Sequence, residues 1–429
     1  MAAVGGNFAE MEEALREVVG AEHVRAGADG DAVDGVVPNL MIEPGNTQEV
    51  SRVLAMADSR GWRVMAQGGG TKLDWGNIAR PAQAAEVLLS TARLNRVVEH
   101  AAGDMTATVQ AGCPVAEFAQ SLAQRGQRLA LDPLWPRRAT IGGILATHDS
   151  GALRETFGSL RDHLIGVTVV LADGTVAKSG GKVVKNVAGY DLPKLMIGSM
   201  GTLAVITEAT FRLYPLAHAS RTICFGMTSD HELAALLQAM AECSAVATAV
   251  QFEVADAGMR RISVLAEGLP AAIEGKANRI IHTAEGCGAA RTGETENAWN
   301  SRENLFEGKN ICVCKVSLLP TDWAGFLKNT RDLAGRYQIA WKIVGQIFGI
   351  GILRLDARQA PQMLEIIAAL RNALNECGGT LTVLRCPPAI KQELDVWPDA
   401  GDALTLMRSV RRQFDPKGTL SPGRFVGGI

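Results

Sequence analysis

Between Gly180 and Leu213 the chain reads GGKVVKNVAGYDLPKLMIGSMGTLAVITEATFRL, with glycines at 180, 181, 189, 198 and 201, and then enters a β-branched run. Glycine costs backbone entropy and contributes no side-chain burial. Such density belongs where a backbone turns sharply or lies against something flat or anionic. Two shorter glycine turns precede it, Gln67-Gly68-Gly69-Gly70-Thr71 and Thr140-Ile141-Gly142-Gly143. The first follows a strand-like run, Trp62–Gln67, so its consecutive backbone N–H groups form a nest suited to a pyrophosphate. A tight connection without ligand fits that loop alone equally well. It is neither a G-x-G-x-x-G opening a helix nor a G-K-[ST] loop. The second turn continues through Ala146-Thr147 to Ser150-Gly151, where small residues admit a planar ring and hydroxyls offer hydrogen bonds. Three such segments in this order are more specific than any one of them.

The 429 residues suit two or three domains, two being the simpler expectation. A formal net charge of −2 without a basic stripe excludes an ordinary nucleic-acid binder. No apolar run is long enough to span a bilayer, and the N-terminus reads as a short amphipathic helix rather than a secretion signal. A cytoplasmic protein is expected, with peripheral attachment at the inner face of the membrane through partners left open. Eight cysteines lie far apart except Cys312 and Cys314, and none forms a C-x-x-C. Iron–sulfur and zinc sites want clustered ligands, so buried inert thiols and no metal are expected.

Residues 36–216 alternate strands and helices. Val36–Glu43 reads as a strand, and Asn46 with Glu49 as a capping box. Val50, Val53, Leu54 and Ala57 then form an apolar face. Met105–Ala111 reads as a strand, and Pro114 opens a helix buried through Val115, Phe118, Ala119 and Leu122. Asp173-Gly174 marks a hairpin. Residues 221–387 repeat strand-helix-strand-strand-helix twice, with Gly286–Ser301 read as a loop plus short helix. This predicts a duplicated α+β sheet domain with helices on one face. Ala403–Phe414 is the last helix.

The KNVAGYDL element, the small-residue turn after it and the GTLxVITE strand resemble the vanillyl-alcohol-oxidase-type (PCMH-type) FAD-binding family. Within that family the likeness is to the FAD-binding subunit of bacterial glycolate oxidase. The resemblance implies an α+β fold, with a two-subdomain PCMH-type FAD-binding domain over 36–216 and a ferredoxin-like duplicated cap over 217–387. A helical segment over 1–35 precedes them, and a tail over 388–429 returns to the FAD domain. It implies non-covalent FAD, because Gly68–Thr71 offers no histidine for attachment and Cys113 lacks the context of a dual linkage. The implied cofactor-binding residues are Gln67, Gly68, Gly69, Gly70, Thr71, Lys72, Asp132, Pro133, Thr140, Ile141, Gly142, Gly143, Ala146, Thr147, Ser150, Gly151, Asn186, Gly189, Tyr190, Gly201, Val205 and Ile206. The tail Phe414-Asp415-Pro416 to Leu420-Ser421-Pro422-Gly423-Arg424 resembles the family's return to the flavin, with Ser421 where asparagine is usual.

Catalytic hydroxy-acid dehydrogenases of the family carry a G-E-H-G-x-G type element in the cap, whose histidine assists removal of the hydroxyl proton. No such element follows residue 216; His218, His231 and His282 stand singly, and His231 and His282 are expected at the surface. No catalytic residue is assigned. His148 is read as a solvated loop residue, with a flavin-facing role as the alternative. Lys182, Lys185 and Asn186 are either a solvated basic turn or a counter-charge for the cofactor.

The expectation is therefore an FAD subunit of a glycolate (2-hydroxy-acid) oxidase complex. Its partners would be a catalytic flavoprotein subunit and an iron–sulfur subunit. A stand-alone FAD oxidoreductase acting on a hydroxy acid or polyol and a flavin-free structural subunit remain open.

Overall fold

The computed structural model describes residues 2–78, 86–181, 191–243, 246–256, 258–293, 296–356 and 359–429. By internal contacts the chain divides into two compact units. The first comprises Met1–Ser150, Ser159–Pro215 and Asp399–Ile429; the second comprises Gly151–Gly158 and Leu216–Pro398.

The first unit contains two sheets. In the smaller, the strand Val87–Ser90 lies between Leu40–Ile42 and Val64–Gln67 and runs parallel to both; Val24–Ala26 pairs antiparallel at the edge. Val87–Ser90 was not legible as an element, because all four of its residues are buried and show no alternation. The expected strand Val36–Glu43 contracts to Leu40–Ile42, and Val36 and Val37 are exposed. The helix Thr47–Arg60 starts at the expected Asn46 N-cap, but Glu49 reaches back to the residue before the cap rather than closing a full capping box. Asn46 accepts from the Glu49 N–H at 2.9 Å, and Glu49 accepts from the Gly45 N–H at 2.7 Å. Its buried stripe is Val50, Val53, Leu54 and Ala57, and Gly61 ends it in the left-handed region at φ 73°.

The larger sheet is antiparallel, with Val205–Arg212 at its centre between Thr106–Gln110 and Leu164–Val170. The hairpin at Asp173-Gly174 joins Leu164–Val170 to Val176–Gly180. Helix Val115–Ala123 buries Val115, Phe118 and Leu122 against this sheet, whereas Ala119 faces solvent. Val170 and Val205 also pack with Val64 and Val87, so the sheets share a core along one edge.

The second unit is a βαββαβ motif used twice, giving one eight-stranded antiparallel sheet. The halves meet where Ala249–Ala255 pairs with Trp341–Gln346. Counting strands within each half, the order is 4-1-3-2 followed by 2-3-1-4, a pseudo-symmetric arrangement. Its four long helices bury apolar faces in one cluster, which includes Leu236, Ile280, Phe326 and Ile366. Each half is closed by a strand, and one of these, Ala290–Gly293, falls in the stretch expected to be loop. All four of its residues are exposed, which removes the burial pattern a reader of sequence relies on.

At the junction Phe252 faces Gly345. A Cβ on Gly345 would fall inside the Phe252 ring. That ring also meets Trp323 edge-on at 4.9 Å between centroids.

Candidate functional site

The strand Val64–Gln67 delivers the chain to Gly68, and its parallel partner fixes where it ends: Gln67 O accepts from the Thr91 N–H at 2.9 Å. The loop then runs straight into the second glycine turn. A Cβ on Gly68 would strike the Thr140 hydroxyl, and one on Gly69 would overlap the Arg138 carbonyl. The two turns are thus in direct backbone contact, which only glycine allows at these positions. Among the described residues, the backbone N–H groups of Gly68, Gly69, Gly70 and Thr71 donate to no protein acceptor. Gln67 Oε1 is buried without a hydrogen-bond partner. Gly70 is exposed and Gly68, Gly69 and Thr71 are half-buried, so this row of donors is open to solvent or to an acceptor that enters the cleft.

The second turn works differently. Its three leading N–H groups are all spent. Ile141 donates to Cys113 O at 3.0 Å, Gly142 to Ala111 O at 2.7 Å and Gly143 to Thr140 Oγ1 at 3.3 Å. Thr147 donates its hydroxyl to Gly143 O at 2.8 Å. Ile141 is fully buried in the core. This turn therefore supplies smallness and the Thr140 hydroxyl proton rather than an anion nest. The N–H row lies in the first loop.

Both turns line one cleft of the first unit, with about 810 Å³ of empty space including the part open to solvent. Of the expected residues, Gln67, Gly68, Gly69, Gly70, Thr71, Lys72, Thr140, Gly142, Gly143, Ala146, Thr147, Gly201, Val205 and Ile206 line it. Asp132, Pro133, Ile141, Ser150 and Gly151 do not, and Gly151 belongs to the second unit. Lys182, Lys185, Asn186, Gly189 and Tyr190 lie outside the described residues. His148 is half-buried, in the left-handed region at φ 51°, and is not part of the lining.

Two contributions come from far along the chain. Leu420 bridges Val64, and Ser421 donates its N–H to Val64 O at 2.9 Å, so the tail extends the smaller sheet. The turn before it is held by buried Asp415. Its carboxylate accepts from the Thr419 N–H at 2.9 Å and the Leu420 N–H at 2.7 Å and pairs with Arg411 at 2.8 Å. Ser421 and Arg424 reach the cleft, and Arg424 binds the carbonyls of Leu73 and Trp75. Burial lowers the Arg424 pKa below the ordinary value, and Asp34 at 3.7 Å opposes that shift. Thr91, Met200 and Ala204 also line the cleft; the last two lie in the Gly180–Leu213 segment, whereas nothing in the local sequence marked Thr91.

Cys113 is buried, its thiol pushed up to about 11 by burial, which makes it a poor nucleophile. In the second unit, His218, His231 and His282 are all exposed or half-exposed. Among the described residues no three histidine, cysteine or carboxylate side chains are placed to share a metal ion.

Residues 38–180 match the FAD binding domain family, and residues 398–425 match the C-terminal domain of FAD linked oxidases. The chain is similar to the glycolate oxidase subunit GlcD of Bacillus subtilis, 27% identical over 421 residues, covering 90% of this chain and 89% of that one. It is similar to the D-lactate dehydrogenase of Archaeoglobus fulgidus, 28% identical over 416 residues, covering 90% and 91%. It is also 26% identical over 429 residues to the D-2-hydroxyglutarate dehydrogenase of Xanthomonas citri, covering 90% and 89%. Among solved structures, p-cresol methylhydroxylase with substrate bound superposes with a TM-score of 0.76 at 13% identity, covering 98% of this chain and 96% of that one. The 4-ethylphenol oxidase of Gulosibacter chungangensis gives 0.75 at 16%, covering 97% and 96%. These two likenesses concern the fold, which is that of the PCMH-type flavoproteins. The FAD-domain match spans both glycine turns and the C-terminal match spans the tail that meets them, and the chain is an FAD-dependent oxidoreductase.

Proposed function

We propose that this chain holds FAD without a covalent bond in the cleft of the first unit and serves a 2-hydroxy-acid oxidase complex as an electron-carrying flavin subunit. The observation that carries the reading is the first glycine loop, with its four unspent N–H groups and the orphaned Gln67 Oε1 lining the cleft. The N–H row would take the cofactor's diphosphate. The small residues Gly142, Gly143, Ala146 and Gly201 would let backbone approach the rest of the molecule, and the Thr140 hydroxyl has a proton to donate. FAD would supply the two-electron acceptor for oxidation of a carbon bearing a hydroxyl.

A hydroxy-acid substrate is supported by the names of the relatives, which include glycolate oxidase, D-lactate dehydrogenase and D-2-hydroxyglutarate dehydrogenase. A subunit role is supported by the solitary, solvent-accessible histidines of the second unit. Removing a hydroxyl proton needs a base held beside the substrate, and a solvated imidazole is not so held. On this reading a partner flavoprotein subunit selects the substrate and an iron–sulfur subunit takes the electrons. The second reading is a stand-alone dehydrogenase. It is favoured by alignment of the D-lactate dehydrogenase along 90% of this chain.

The two readings separate in an anaerobic cuvette. The purified chain, reconstituted with FAD, is mixed with glycolate or D-lactate and the oxidised flavin band is followed. No bleaching without partners, and bleaching when the co-purifying proteins are present, is expected. Bleaching by the chain alone would overturn the subunit reading. A chain that shows no flavin band even after added FAD would be a scaffold.

A further inference from the structure

Lys72 follows the N–H row directly and lines the cleft, yet its side chain is only 5% exposed. Taking a charged ammonium this far out of water costs free energy unless an opposite charge and hydrogen bonds compensate it. Asp149, also 5% exposed, lies 3.0 Å from Lys72 Nζ. The carboxylate is itself fixed, because its Oδ2 accepts from the Leu134 N–H at 2.9 Å. Lys72 Nζ reaches Leu134 O at 3.5 Å and lies 5.7 Å and 5.5 Å from the ring centroids of Trp75 and Trp135. Two indole faces and one carboxylate thus hold the cation in place. The pair joins the first glycine loop, the Asp132–Pro136 turn and the end of the second glycine segment.

Of the described residues lining the cleft, only Lys72 and Arg424 are cationic. Arg424 is committed to the carbonyls of Leu73 and Trp75 and to Asp34. An ammonium has three donors. One of those on Lys72 goes to Asp149 and one makes a long contact with Leu134 O, and these two contacts leave a third donor unused.

We propose that Lys72 is the cation that reads the anionic diphosphate of the cofactor, and that Asp149 is the positioning residue that holds Lys72 in place. This rests on the cleft being an FAD site. It also explains why Asp132 and Pro133 lie near the site without lining it. Their turn supplies Leu134 and Trp135, which hold the pair.

The test uses the full chain stripped of flavin and titrated with FAD and, separately, with riboflavin, which has no phosphate. Quenching of flavin fluorescence reads binding. Lys72→Met and Asp149→Asn each remove one charge and are each expected to weaken FAD about a hundredfold, the range seen when one partner of a buried charge pair is truncated. Losing one partner also threatens the fold. The decisive variant is therefore Lys72→Met/Asp149→Asn, which leaves no uncompensated charge. It is expected to fold, to bind FAD about as weakly as either single variant rather than by the product of the two losses, and to bind riboflavin as the wild type does. Lys72→Arg is expected to retain most FAD affinity. If the double variant binds FAD like the wild type, or if FAD and riboflavin weaken together, the pair is only structural and the proposal fails while the FAD site stands. If the wild type takes up no FAD, the reading of the cleft fails and the pair's role with it.

Discussion

Replacing Glu155 by glutamine changes the pH dependence of this protein's stability by a calculable amount. Glu155 lies in the short helix Arg154–Phe157, which belongs to the second unit. Its Oε2 is buried without a hydrogen-bond partner. Burial pushes the carboxyl up from 4.5 to about 7, and the Val250 N–H offsets only part of that. The folded state therefore holds this proton more tightly than the unfolded chain does. The stability contributed is fully present below about pH 4.5, and it is lost as pH rises through 7. A carboxyl raised that far corresponds to roughly 3 kcal/mol. That is a large share of a domain's net stability. A glutamine side chain cannot ionise, so the Glu155→Gln variant lacks this part of the pH dependence. Urea unfolding at about pH 4.5 and about pH 8.5, followed by circular dichroism, gives the difference between variant and wild type at each pH. Any cost of the buried amide is the same at both and cancels. The variant is expected to gain about 3 kcal/mol relative to wild type between the two values. Equal pH slopes for the two proteins would show that Glu155 is not held in an apolar environment and would refute the argument.

Other predictions rest on single contacts. Gly69→Ala places a methyl group on the Arg138 carbonyl, so the variant is expected to fold, by circular dichroism, yet to bind FAD at least about tenfold more weakly in a fluorescence titration. Gly345→Ala drives a Cβ into the Phe252 ring at the junction of the two half-sheets, and is expected to cost about 1–3 kcal/mol in denaturant unfolding. Asp415→Asn leaves Arg411 buried without its charge partner and is expected to cost about 3–5 kcal/mol in the same assay. The same change should loosen the tail around Leu420–Arg424, measurable as faster amide exchange there than at Val50–Ala57.

Elements with strong local signals were legible. Asn46 and Glu49 fix a helix start by their own chemistry, and Asp173-Gly174 fixes a hairpin, so neither depends on what lies across the fold. Val87–Ser90 and Ala290–Gly293 were missed for opposite reasons. One is buried on both faces and the other on neither, and periodicity speaks only when a strand has two different faces. The second glycine turn was read for small residues and hydroxyls, not for backbone donors. The residues are there, but Cys113 O, Ala111 O and Thr140 Oγ1 consume the leading N–H groups, and no local reading reveals such distant acceptors.

The sequence by itself marked glycine-rich turns separated by α/β units as candidates for contact with a flat or anionic ligand, and it called for the duplicated α+β sheet that the second unit shows. Those conclusions rest on interactions between near neighbours in the chain, where residue type dictates backbone geometry. The Gly180–Leu213 segment that set this reading contributes Gly201, Val205 and Ile206 to the cleft. Only the tertiary structure decided which donors stay unspent, that Arg424 crosses from the tail to Leu73 and Trp75, and that Asp149 compensates Lys72. Burial, charge compensation and the saturation of hydrogen bonds depend on which distant atoms arrive at a point in space, and that is settled by packing rather than by any local run of residues.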